Sequence, residues 1–272
     1  MTNYICKTCG VQYEASATPP AHCPICEDER QYVAESGQAW TTLEELQRNY
    51  KIVLKEEEPH LHGIGMEPRF AIGQRAQLIQ SEHGNVLWEC TSLINEEAIA
   101  AVRALGGFTA MSLSHPHYYS SIIEWSDAFG GVPIYVHASD ERWLGRRSKN
   151  VVLWQGTTYS LSPDVTIINC GGHFPGSSVL HWSKGAAGKG VLLCGDTINV
   201  VSDRRYVSFM WSYPNLIPLP AAAVQQIVER VRPFAFDRIY SAWFGTVLKE
   251  NARQGLEFSA QRYQRAISSL YG

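Results

Sequence analysis

Four cysteines within the first 26 residues constrain this 272-residue chain more tightly than any other feature. They form two pairs, Cys6-Lys7-Thr8-Cys9 and Cys23-Pro24-Ile25-Cys26, with 13 residues between them. Two thiolates at this spacing reach one ion from a single tight turn, and two such turns close a tetrahedral shell. Gly10, directly after the first pair, relieves the backbone there. So short a segment cannot fold on apolar burial alone, and a bound metal is expected to supply its folding free energy. Zinc suits four thiolates, and iron suits them equally in geometry. The seven cysteines are an odd number, and their tight pairing speaks for metal binding in a reducing cytoplasm rather than for a disulfide framework. Cys90, Cys170 and Cys194 read as small core residues.

The remaining length has room for one large domain. Apolar residues make up 45% of the chain, ample for a buried core, and the formal net charge is −3 without a long basic run. Nothing in that balance attracts nucleic acid. No apolar run approaches the ~20 residues of a membrane-spanning helix, and no secretory leader precedes Cys6. The expectation is a soluble cytoplasmic protein without a membrane or nucleic-acid partner.

Trp40 to Tyr50 reads as a short helix capped by Thr41 or Thr42, and Lys55-Glu56-Glu57-Glu58 as a solvated linker. Arg75–Gln80 and Val86–Cys90 flank a hairpin turn at Glu82–Asn85. Asn95 caps a helix that stops at Gly106-Gly107, and a strand over Phe108–Leu113 follows. Further strands are expected at 132–137, 150–154, 165–169, 178–182, 191–194 and 237–242, with helices over 221–231 and 251–270. This order fits two sheets enclosed by outer helices.

The 108–113 strand runs into His115-Pro116-His117-Tyr118-Tyr119-Ser120, where two imidazoles leave one strand end. Downstream lie Gly172-His173-Phe174-Pro175-Gly176-Ser177 and Cys194-Gly195-Asp196-Thr197, which add a third imidazole and a carboxylate. His60, His62, His137 and His181 read as surface or structural residues, and His22 as a neighbour of the first metal. Arg204 and Arg205 read as surface charge, and Gly185–Gly190 as a loop.

These three segments, in this order, resemble the metallo-β-lactamase superfamily, with its HxHxDH, GHTPGS-like and GDT-like motifs. The cysteine segment resembles zinc-ribbon and rubredoxin-like knuckles. The resemblance implies an α/β chain with an αββα sandwich over residues 70–272, a four-cysteine module over 1–36, and a linker with a short helix over 37–69. It implies metal ligation by Cys6, Cys9, Cys23 and Cys26 and, in the large domain, by His115, His117, His173 and Asp196. The superfamily's second metal would need ligands where this chain has Tyr119, Ser120 and Phe244, so one zinc, iron or manganese ion is expected at the histidine site. Asp196, Tyr118 and Tyr119 are the expected catalytic residues, the tyrosines as hydrogen-bond donors. The implied activity is hydrolysis of a small ester, thioester or lactone-like substrate by a hydroxide on a single metal ion. Two other readings stay open: a redox protein related to the rubredoxin-linked di-iron members of the fold, and a non-catalytic metal-stabilised scaffold. A homo-oligomer is compatible with either.

Overall fold

The computed structural model describes residues 1–268. The chain divides into two compact units, one of Met1–Val136 with Asp140–Leu153, the other of His137–Ser139 with the chain from Trp154 onward. Among the described residues, no helix is long and apolar enough to cross a membrane.

The first unit is built on a seven-stranded sheet whose strands follow chain order: Lys51–Glu58, Leu61–Glu67, Ala76–Ile79, Val86–Trp88, Ala110–Ser112, Ile134–His137 and Val151–Trp154. The first four pair antiparallel through short turns. The next two join parallel, because helices Glu96–Ala104 and Ile122–Ala128 carry the chain across between them. Asn95 caps the first helix by accepting the Ala98 N–H at 2.8 Å, and Gly106 and Gly107 end it at positive φ.

The acidic run Lys55–Glu58 is not a linker. It closes the sheet's edge strand and pairs with residues 61–63. The Glu57 carboxylate receives two hydrogen bonds from the buried Arg75 guanidinium, at 2.7 and 3.0 Å, and Glu58 is itself buried. A charged edge strand protects a sheet from pairing with another chain, which gives it the composition of a linker.

The cysteine segment is part of this unit. Strand Tyr4–Cys6 pairs antiparallel with Trp40–Thr42, directly before helix Leu43–Asn49, whose N-cap is Thr42. Ile5 packs in one apolar cluster with Leu46, Phe70 and Leu93.

In the second unit, a six-stranded sheet runs in the order Thr158–Ser162, Val165–Asn169, Ser178–Trp182, Val191–Leu193, Arg238–Tyr240 and Val247–Leu248. Helices Ala221–Val231 and Ala252–Ile267 bury Val224, Ile227, Leu256 and Ala260 in one core with Ile168, Val179, Leu192 and Ile239. The 16-residue helix was expected to reach residue 270; positions 269 and 270 lie outside the described residues. Gly185–Gly190 is a turn between strands, with Ala186 and Ala187 in the left-handed region at φ of 50° and 55°.

Candidate metal centres

The two cysteine turns are closed by their own backbone. Gly10 N–H donates to the Cys6 carbonyl at 2.9 Å with φ at +85°, a conformation that favours glycine. Cys26 and Glu27 N–H both donate to the Cys23 carbonyl at 3.0 Å. All four thiols are buried and unbridged, and their sulfurs lie within 4.8 Å of one another. Cys6 and Cys26 approach to 3.5 Å, Cys9 and Cys23 to 3.7 Å. Metal–sulfur bonds of about 2.3 Å give a tetrahedron edges of about 3.8 Å, so the sulfurs are spaced as a thiolate-bound ion requires. Burial pushes the Cys9 thiol up, and a cation is what offsets burying thiolates together. Gln38 Nε2 donates to Cys6 Sγ at 3.1 Å. The Tyr13 hydroxyl lies 3.1 Å from Cys23 Sγ; burial and the adjoining sulfurs raise its pKa, so it acts as the donor. His22, expected beside this site, pairs with Glu27 at the surface instead.

His115 and His117 stand where the parallel strand Ala110–Ser112 ends. His115 is extended, and Pro116, with its φ already helical, starts the tight turn Pro116–Tyr118. That turn swings His117 back, so the two rings meet edge to face at 4.9 Å, both buried. Ser114 Oγ lies 2.7 Å from His115 Nδ1, an interaction that occupies Nδ1 and leaves Nε2 as the nitrogen a metal would take. The Ser114 N–H donates to the buried Glu89 carboxylate at 3.0 Å. Glu89 holds a left-handed backbone (φ 68°), a strained state for a side-chain-bearing residue.

In the second unit, Gly171 and Gly172 at positive φ reverse the chain after Val165–Asn169. A Cβ on Gly172 would lie 3.0 Å from Ile227 Cδ1, so the close approach also demands glycine. The Ser177 hydroxyl accepts the Phe174 N–H at 2.8 Å and closes the loop that carries His173. His173 Nδ1 donates to the carbonyls of Trp211 at 2.8 Å and Met210 at 3.2 Å, fixing the tautomer with its lone pair on Nε2. Asp196 follows strand Val191–Leu193 in a turn closed by Thr197 N–H to the Cys194 carbonyl at 3.0 Å. The Tyr213 hydroxyl donates to the Asp196 carbonyl at 2.6 Å. Burial, and then the Asp196 carboxylate, raise the pKa of that phenol and keep it a donor.

One nitrogen each of His115, His117 and His173 and one carboxylate oxygen of Asp196 lie within 4.8 Å of one another, all buried. Three imidazoles and a carboxylate are a donor set suited to zinc, iron or manganese. Among the described residues, this group and the four cysteines are the two clusters of at least three such side chains close enough to share an ion.

Of the expected catalytic tyrosines, Tyr118 is buried with its ring edge-on to His115 at 5.2 Å. Tyr119 turns toward a void of about 10 Å³ that it lines with Gln12, Ser120 and Arg146. Its phenol is pushed up first by burial and then by Asp140 and Glu89. Phe244 lies in the turn after strand Arg238–Tyr240. His62 bonds Gln80, His137 the Gly156 carbonyl and His181 the Ala235 carbonyl, each a structural partner. Arg205 pairs with Asp203 at the surface, and Arg204 reaches the Val201 carbonyl. Glu89, Ser114 and Tyr213 were not singled out as supports from sequence; only their neighbours carried a motif.

The fold and the two clusters define a metallo-β-lactamase-fold chain with an amino-terminal four-cysteine module. The crystal structure of DIM-1 metallo-β-lactamase matches it with a TM-score of 0.58 at 12% identity, over 79% of this chain and 98% of that one. FIM-1 metallo-β-lactamase from Pseudomonas aeruginosa, in a mono-zinc form, matches with a TM-score of 0.56 at 15% identity, over 79% and 96%. TMB-1 matches with a TM-score of 0.59 at 12% identity, over 79% and 98%. Identities this low establish the fold alone. The chain belongs to the same family as YmaE of Bacillus subtilis (strain 168), an uncharacterized protein that is 51% identical over 271 residues, 99% of this chain and 98% of that protein. No protein-family profile matches the chain.

Proposed function

We propose that this chain is a metal-dependent hydrolase of a small ester, thioester or lactone-like substrate, working with one ion held by His115, His117, His173 and Asp196. The observation that carries the reading is the convergence of those four buried donors within 4.8 Å. An ion there supplies Lewis acidity, polarising a carbonyl and acidifying water near neutral pH. The protein's own part is to fix the donors. Ser114 orients His115, the Met210 and Trp211 carbonyls orient His173, and Tyr213 steadies the Asp196 main chain. Tyr118, beside His115, is assigned the hydrogen-bond donor role toward substrate. Tyr119 is assigned to packing, since its neutral phenol faces the small void. The cysteine module is assigned a structural zinc.

The test is a panel of chromogenic esters, thioesters and lactones, run on protein stripped of metal and then reloaded with zinc, iron or manganese. Reloading should restore turnover, and His173→Ala should lower it about 100-fold or more, the scale of losing several kcal/mol of metal-derived stabilisation. Stripped protein that keeps full activity would overturn the proposal.

A further inference from the structure

The first cysteine turn and the histidine loop are tied together by buried side chains that neither motif contains. Gln74 sits just before strand Ala76–Ile79, is buried, and donates from Nε2 to the Cys9 carbonyl at 3.3 Å and to the His117 carbonyl at 3.2 Å. A second link runs parallel to it. Ser92 Oγ donates to the Gly10 carbonyl at 2.7 Å, and Ser121 Oγ donates to the Ser92 carbonyl at 2.7 Å. The fit is close: a Cβ on Gly10 would lie 2.6 Å from Ser92 Oγ and 3.3 Å from Gln74 Nε2. The backbone of residues 9–10 is thus bonded through Gln74 to His117 and through Ser92 to Ser121, on both sides of Tyr118–Ser120.

We propose that Gln74 is a positioning residue that couples the two metal sites, so that a cysteine turn ordered by its ion fixes the His117 main chain and strengthens metal binding at the histidine site. The inference rests on the reading of His115, His117, His173 and Asp196 as a metal site. Its physical content is preorganisation. A carbonyl held in place spares the imidazole beside it the entropy of being ordered when the ion binds. The link is also reciprocal, since an ion at either site then favours the other.

Zinc is the probe, with the full-length chain as the protein. Elemental analysis gives ions per chain, and competition with a chromophoric chelator gives the affinity of the weaker site. Gln74→Met keeps the length of the side chain and removes both donors. The expected result is two zinc ions per wild-type chain and a histidine-site affinity about tenfold lower in Gln74→Met, within the usual range of coupling between sites. In the cobalt-loaded variant the thiolate-to-metal absorption should persist, which shows that the cysteine module has folded. Ser92→Ala cuts the parallel link and should lower the same affinity by a smaller factor; it carries the test if Gln74→Met fails to fold. Unchanged histidine-site affinity in a folded variant, with two ions in the wild type, overturns the coupling alone. A single ion in the wild type overturns the histidine-site reading and the coupling with it.

Discussion

All four sulfurs of the amino-terminal cluster come from residues 6–26, and each pair sits in a turn closed by its own backbone hydrogen bonds. The histidine cluster draws on three segments, residues 115–117, 173 and 196, and each needs help from elsewhere in its unit. His115 leans on Ser114 and Glu89, His173 on the Met210 and Trp211 carbonyls, and Asp196 on Tyr213. The difference separates two uses of a metal. A cluster made of adjacent turns gains its fold from the ion, and four thiolates fill its shell. A cluster drawn from three separate segments takes its shape from the surrounding fold, and three imidazoles by themselves would leave a tetrahedral ion a fourth position.

The comparison breaks most visibly if the cysteine site proves dispensable. Cys23→Ser should abolish thiolate–metal absorption in the cobalt-loaded chain. It should also lower the thermal midpoint by more than any change at the histidine site, since binding free energy at such sites is folding free energy, on the order of 10 kcal/mol in isolated zinc modules. The apolar cluster of Ile5, Leu46, Phe70 and Leu93 passes part of that loss to the rest of the first unit. By contrast His173→Ala, in a loop closed by Ser177, should leave the midpoint nearly in place while removing the second ion. Equal midpoints for the two variants, read by calorimetry, would erase the distinction.

The donors of both clusters were legible in the sequence because ligand chemistry admits few residue types, and a cysteine or histidine at a set spacing carries its meaning with it. The supports were not. Glu89 reaches Ser114 across 25 positions, Gln74 reaches Cys9 across 65 and Ser92 reaches Gly10 across 82. Glutamine, serine and glutamate are common on any surface, and only the fold makes these particular ones buried. Sequence composition misled in the other direction at Lys55–Glu58. There a charged edge strand carries the composition of a linker, and the guanidinium that holds Glu57 comes from position 75. The two clusters also differ here, since Cys6–Cys26 needed no long-range information while the histidine site needed the superfamily resemblance to be assembled.

A middle-sized effect sharpens the claim that the histidine cluster depends on its neighbours. Glu89→Leu deletes the acceptor for the Ser114 N–H and orphans a buried donor, at a cost of about 2 kcal/mol. Released from that anchor, Ser114 no longer fixes His115, and histidine-site affinity should fall about 10- to 100-fold, the usual range for partners behind a metal ligand. Glu89→Gln keeps an acceptor oxygen and should recover most of both losses. Zinc competition together with chemical denaturation reads the two quantities side by side. Full affinity in the leucine variant would mean that His115 is held by its strand alone.

The smallest effect is the most specific. Tyr213→Phe keeps the aromatic ring, which packs edge-on to His173 at 5.8 Å, and removes only the hydroxyl that donates to the Asp196 carbonyl. One neutral hydrogen bond is worth about 1 kcal/mol, which converts to about fivefold in affinity. The loss should appear in metal affinity at the histidine site, with the thermal midpoint moving little. Because the bond touches the main chain of Asp196 and leaves its carboxylate alone, the effect should vanish when Asp196→Asn has already weakened that ligand. A double-mutant cycle of the two substitutions measures the overlap. Strictly additive losses would show that the Tyr213 hydroxyl acts independently of the Asp196 carboxylate, and that this half of the site, like the cysteine turns, holds its own shape.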